Sequence, residues 1–306
     1  MRRAILLAWL TLGLARADTT RVFRVPVWIE ARNGAVPALS AQSLKVFAGD
    51  RPGRVIRVMS PSEELLLVLA LDLTEELSLV ELAKEALAAE VARLPENVYV
   101  AVLRAQDGLR ALADPTNERE PVLRIIRELP VAGKAGLLES LPTALRLTDS
   151  ILAKSAVRVA LLYVTDSSIY NYRDDYINPV VNYSDQHDLS RRFPEGLVKE
   201  KIARLDRQLA AFQTPLCIVH LNYRNDRLNE AYQTGLMQLA SALGGESRFC
   251  RSRQEIPEAI GAALARLVRM HRVDIEAPVR GGGLIQLQLD SELGPLSYRN
   301  RFALPR

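Results

Sequence analysis

Residues 65–71 are an unbroken run of leucine, valine and alanine that stops at Asp72, and residues 157–164 form a second apolar run that stops just before Thr165 and Asp166. A strand with one solvated face alternates apolar and polar residues, whereas a strand buried on both faces does not. Two such runs, separated by helical periodicity, leave few solutions open. Apolar residues recur with a helical period through 75–94, 118–129, 137–152, 189–212, 228–243 and 256–270, and further strand-like runs lie at 98–103, 157–164, 216–221 and 247–250. Strands alternating with helices predict an α/β fold, a doubly wound and mainly parallel sheet covered on both sides. The Asp107-Gly108 pair predicts a hairpin that folds 109–112 back onto 98–103.

The two ends read differently. Short β-type runs at 21–30, 44–47 and 54–58 precede the alternating core, and runs at 273–275, 284–289 and 297–303 follow it. Neither set makes a stable sheet by itself, so the expectation is a small β-sandwich shared by both. The division is a β segment over 18–60, an α/β unit over 61–270 and a β segment over 271–306 that packs with the first.

Residues 1–17 have the three parts of a secretory signal peptide: Arg2 and Arg3, an apolar run over 4–14, and Ala15-Arg16-Ala17 before Asp18. The run of 11 residues is short of the roughly 20 needed to cross a bilayer. The expected location is outside the cytoplasm, periplasmic or secreted, with no membrane span after cleavage. Loss of this leader takes three arginines from a formal charge of +4, which leaves a nearly neutral chain and gives no support to nucleic-acid binding. Export would permit a disulfide between Cys217 and Cys250, but the poor geometry of neighbouring parallel strands favours two buried thiols.

In open α/β sheets ligands bind beyond the carboxyl ends of the strands. Asp72 and Asp166 fall at that edge, in Asp72-Leu73-Thr74-Glu75-Glu76 and Val164-Thr165-Asp166-Ser167-Ser168. Carboxylates with neighbouring hydroxyls are the oxygen ligands that a hard cation prefers. The same groups also suit an N-terminal helix cap, and both readings are open at this point. The stretch after Asp166 holds Tyr170, Tyr172, Tyr176 and Tyr183, four of the nine tyrosines within 14 residues, together with Arg173. Tyrosine offers rigid amphipathic contact area, and a connection this long tends to carry function. His187 lies among Asp174, Asp175, Asp185 and Asp188 without regular ligand spacing and reads as a solvated side chain. No nucleophile elbow, phosphate loop or dinucleotide fingerprint is present.

The order and spacing of these elements over about 61–270 resembles the von Willebrand factor A (VWFA) domain, a Rossmann-like fold. The flanking segments, with Val27-Trp28-Ile29-Glu30-Ala31, 34–39 and Leu44-Lys45-Val46-Phe47, are similar to those of bacterial secreted VWFA-related proteins. Asp114-Pro115-Thr116 and the stretch 239–245 ending in Gly244-Gly245 add to the likeness. The resemblance implies a metal-ion-dependent adhesion site built from D-x-S-x-S, a threonine before a middle helix, and a later Asp. Asp72 and Asp166 match the two acids, Thr74 keeps the hydroxyl of the first Ser, and Glu76 stands where the second Ser belongs. No Thr occurs near 134–138. The implied ligand set is Asp72, Thr74, Glu76 and Asp166, and the implied ion is Mg²⁺, or else Mn²⁺ or Ca²⁺, in a degenerate site.

The function expected from this reading is non-enzymatic protein binding of the adhesion type. The contact face would combine the 72–76 turn, Asp166 and the tyrosine-rich loop. The alternatives are a metal-assisted hydrolase that uses Asp72 and Asp166, and a purely structural envelope subunit.

Overall fold

The computed structural model describes residues 19–30, 37–174, 176, 194–279 and 282–304. Its strands and helices, in chain order, are β1 (Thr19–Ile29), β2 (Leu44–Ala48), β3 (Arg51–Pro52), β4 (Arg54–Met59), β5 (Leu65–Asp72), α1 (Leu77–Ala92), β6 (Val98–Arg104), β7 (Arg110–Thr116), α2 (Arg119–Glu128) and α3 (Leu137–Lys154). Then follow β8 (Arg158–Thr165), α4 (Pro194–Leu209), β9 (Leu216–His220), α5 (Arg227–Ala242), β10 (Ser247–Phe249), α6 (Glu255–Val268), β11 (His271–Val279), β12 (Gly283–Ser291), β13 (Leu296–Tyr298) and β14 (Arg301–Leu304).

The central sheet has the order β10-β9-β8-β5-β6-β7, parallel throughout except for β7. Every residue of β5 and β8 is buried, which is why both are apolar between their ends, with polar side chains only at Asp72, Arg158 and Thr165. Alternation of side chains then sorts them. Leu65, Leu67, Leu69 and Leu71 join a core with α1, α2 and α6, while Leu66, Val68 and Ala70 join the opposite core with α3, α4 and α5. The β6–β7 hairpin turns at Asp107 (φ 57°) and Gly108 (φ 106°), the left-handed pair that such a tight turn requires.

The two ends of the chain build the expected sandwich. One sheet has the order β13-β1-β11-β4 and the other β14-β12-β2-β3. Their facing sides enclose Phe23, Val25, Val46, Ile275, Leu287 and Phe302. The sequence read 297–303 as one strand, but it divides between the sheets, with β13 pairing to β1 and β14 to β12. The break is at Arg299, whose guanidinium turns inward to the carbonyls of Ala210, Phe212 and Arg301. A side chain so committed cannot continue a flat strand.

The joint between the two units is built from arginines that reach backbone carbonyls. Arg158 is wholly buried and donates to Pro61 O (2.7 Å), Glu63 O (2.6 Å), Val268 O (2.8 Å) and Met270 O (2.9 Å). It thereby holds the chain where it enters and leaves the α/β unit. Arg272 bonds Ser155 O and Val157 O and pairs with Asp274. Cys217 and Cys250 are both buried and unbridged, and burial pushes each thiol up to about 11. Ser247 lies opposite Ile218 and Phe249 opposite His220, so Cys217 and Cys250 fall at different levels of the sheet.

Candidate functional site

The β5–β8 register places Asp72 opposite Thr165, so Asp72 and Asp166 meet at one sheet edge. Both are fully buried; Asp72 faces the start of α3, and Asp166 the turn that leads into α1. Asp72 accepts the N–H of Gly136 (3.0 Å) on Oδ1, and the N–H of Leu137 (3.2 Å) and the hydroxyl of Thr165 (3.3 Å) on Oδ2. Asp166 accepts the N–H of Thr74 (2.7 Å) on Oδ1, and those of Glu75 (2.8 Å) and Glu76 (2.7 Å) on Oδ2. Neither α1 nor α3 has a side-chain cap from its own N-cap residue, Glu76 or Gly136. Asp72 therefore caps α3 from a neighbouring strand end, using the affinity of a helix N-terminus for negative charge, and Asp166 gathers the N–H groups of the turn that leads into α1. Gly136 is needed for this fit, since a Cβ there would lie 1.9 Å from Ala105 O. Burial, opposed by the Gly136 N–H and reinforced by the nearby Asp166, pushes Asp72 up to about 7.

Around the two acids runs a continuous set of polar contacts. Thr74 Oγ1 shares a proton with Ser167 Oγ (2.8 Å) and accepts from the Asn171 amide (2.8 Å). Glu75 accepts from the N–H (2.6 Å) and hydroxyl (2.8 Å) of Ser168 and pairs with Arg224 at 2.6 Å. Exposed Glu76 accepts from Asn222 Nδ2 (3.1 Å). His220 receives the Asn222 N–H on Nδ1, which places the proton on Nε2 for Ser167 O, and burial drives its pKa down to about 4. It is a neutral, bonded side chain.

The loop after Asp166 is stitched residue by residue to different elements. Ile169 N–H donates to Asn229 Oδ1 (2.9 Å), Tyr170 OH to Asp226 Oδ1 (2.7 Å) and Arg173 to Asp107 Oδ1 (3.2 Å). Lys201 reaches Asp174 (3.2 Å) and Glu139 (3.3 Å). The expectation of one exposed tyrosine surface needs correction. Tyr170 is 46% exposed and Arg173 is exposed, but Tyr172 and Tyr176 are 4% and 5% exposed and belong to the core. Tyr172 OH meets Tyr232 OH at 2.8 Å, and its ring packs edge-on against those of Tyr176 and Tyr232. These tyrosines fill space under the loop because three facing helices leave room for large rings and a partner for the hydroxyl. Tyr183 and His187 lie outside the described residues.

The chain was compared with known proteins. No protein-family model matches it, and no curated protein matches it at a significant level. Among solved structures, a von Willebrand factor type A protein from Catenulispora acidiphila superposes with a TM-score of 0.50 at 11% identity, over 87% of this chain and 74% of the other. The chain has the von Willebrand factor A fold. A D319A mutant of the PilB minor pilin from Streptococcus sanguinis (TM-score 0.49, 10% identity, 68% of this chain and 62% of that one) is a weaker likeness. So is BatB from Bacteroides thetaiotaomicron (0.39, 14%, 66% and 98%). No helix among the described residues is long and apolar enough to cross a membrane.

Within this VWFA fold, Asp72, Thr74, Glu76 and Asp166 do come together at one sheet edge, but as a ligand set they do not fit a hard cation. Each carboxylate oxygen of Asp72 and Asp166 already accepts at least one N–H. The Thr74 hydroxyl faces an amide donor, and Glu76 turns outward to Asn222. Among the described residues, no group of three or more His, Cys, Asp or Glu side chains is placed to hold a metal. The hydrolase alternative meets the same obstacle, because both acids are buried and committed to backbone donors. The sequence missed Glu75, Ser168, Asn171, Asn222 and Arg224 as members of this network. Glu75 and Ser168 sat within the quoted motifs, and the other three lie just after strand ends or in the tyrosine loop.

Proposed function

We propose that the protein is an exported, non-enzymatic adhesion-type module that binds a protein partner through the rim beyond the carboxyl ends of the sheet. Residues 61–270 form the binding unit, and the sandwich of 18–60 with 271–306 is its mount. One observation carries the reading. On a rim otherwise tied down by hydrogen bonds, Leu77 (61% exposed) and Tyr170 (46%) stand out as large side chains left in solvent. Exposed Arg173 and Lys134 lie on the same rim, joined to it through Asp107 and Asn171. Aromatic and arginine side chains are the usual anchors of protein interfaces, and a fixed loop presents them with little ordering to lose. The leader at 1–17 supports export. Among the described residues of this rim, His220 is neutral and both acids are sequestered, which supports a binding role.

The test places a photo-crosslinking residue at Tyr170, at Leu77 or, as a control on the sandwich, at Ile56, which is 47% exposed. The native envelope of the source cell is the bait. The rim positions should give the same discrete adduct, and Ile56 should not. With the probe at Leu77, Tyr170→Ala combined with Arg173→Ala should abolish that adduct and leave the melting temperature unchanged. Adducts at Ile56 alone would move the contact to the sandwich and refute the reading.

A further inference from the structure

We infer that this sheet edge works without a divalent cation: Asp72 and Asp166 are a reciprocal clasp that closes on backbone N–H groups in the place where an adhesion site of this fold would hold its ion. The inference goes beyond partner binding and stands whether or not the rim has a partner.

Three observations carry it. First, five backbone donors converge on the two carboxylates, those of Thr74, Glu75 and Glu76 on Asp166 and those of Gly136 and Leu137 on Asp72. The Oδ2 atom of each acid already takes two donors and would have to release one to an ion, and each Oδ1 keeps a single lone pair beside the N–H it accepts. Second, the start of α3 depends on Asp72, because its N-cap residue Gly136 supplies no side-chain cap, and the turn 74–76 that leads into α1 depends on Asp166. An ion that drew both acids away would loosen the start of α3 and the turn before α1 together. Third, the remaining positions are filled by donors. The Asn171 amide points into Thr74 Oγ1, the Arg224 guanidinium takes Glu75, and Gly136, which has no hydroxyl to offer, stands beside Asp72. Donors directed at the acids and at the retained hydroxyl do the neutralising that a divalent ion would otherwise do.

The experiment uses the mature chain in EDTA and then in Mg²⁺, Mn²⁺ or Ca²⁺, with thermal melting and amide hydrogen exchange as readouts. A ligand selective for the folded state must raise the midpoint as its concentration rises. The expected result is one midpoint in all four conditions, with the amides of 74–76, 136 and 137 equally protected in EDTA and in each ion. Asp166→Asn should lower protection at 74–76 by at least tenfold, and no ion should restore it. A saturable rise in midpoint that Asp166→Asn and Thr74→Ala both abolish would overturn the inference. So would amides at 74–76 that exchange freely in EDTA. A rise that survives in both variants would place the ion elsewhere and leave the clasp intact. If Asp166→Asn does not fold, the wild-type exchange pattern and Thr74→Ala decide the question.

Discussion

Replacing Asp166 by Asn tests how the turn after β5 is held. The carboxylate accepts three N–H groups at 2.7–2.8 Å, two of them on Oδ2. Asn keeps one oxygen. In its better orientation the oxygen serves Glu75 and Glu76, and the NH₂ group confronts the N–H of Thr74. One charge-assisted bond worth about 1.5–3 kcal/mol is then lost, and two others fall to the neutral range of roughly 0.5–1.5 kcal/mol. Relief of the repulsion with Asp72 returns part of this. The net loss is about 2–4 kcal/mol, or roughly 3–6 °C in melting temperature for a chain of this size. Differential scanning calorimetry measures it, with Glu76→Gln as the control. Glu76 is an exposed side chain that makes single contacts, so its replacement should stay within about 0.5 kcal/mol. If Asp166→Asn were no more damaging than Glu76→Gln, the capping argument would be wrong.

Tyr172→Phe should cost about 1 kcal/mol through the lost hydroxyl pair with Tyr232, whereas Tyr172→Ala should cost about 3–5 kcal/mol by emptying a core site. Chemical denaturation separates the two, and equal losses would contradict the packing described. Two buried histidines set an acid limit. His220 and His271 both have pKa values driven down to about 4 by burial, below the ordinary 6.5. Above about pH 6.5 both are neutral in the folded and unfolded chain, so their contribution is complete. As pH falls from 6.5 towards 4 the unfolded chain takes up protons that the folded chain refuses, and stability drops. Melting curves across that window should show the decline, and His220→Gln should make it shallower. Asp72, held up to about 7, takes up a proton in the folded chain over the same window and offsets part of the decline, so the comparison decides: a slope that His220→Gln leaves unchanged would refute the assignment.

The parts of this fold that are legible in sequence are those whose environment is uniform along the chain. β5 and β8 are buried along their whole length and announce themselves as apolar runs, and the Asp107-Gly108 turn is fixed by two residues that tolerate positive φ. The features that stay hidden in sequence depend on what arrives from elsewhere. Asp166 looks like a metal ligand or a local cap, and its true partners are amides some ninety positions earlier, brought near by the β5–β8 register. Tyr172 and Tyr176 carry the composition of a recognition loop, and burial was decided by the space between α3, α4 and α5. Arg299 looks like an ordinary strand residue until the helix-end carbonyls it serves are in place.

The grip of Arg158 on both chain crossings bears on the order of assembly. β4 and β11 are neighbours in the sandwich, yet Met59 and its partner Arg272 are about two hundred residues apart. Joining them through a disordered loop of that length would be slow, because closure entropy must be met before any contact is gained. Once the intervening domain has formed, Arg158 holds 61–63 and 268–270 side by side, and the same closure spans a handful of residues. The inserted domain acts as a template for the sandwich, whose strands can pair late and quickly.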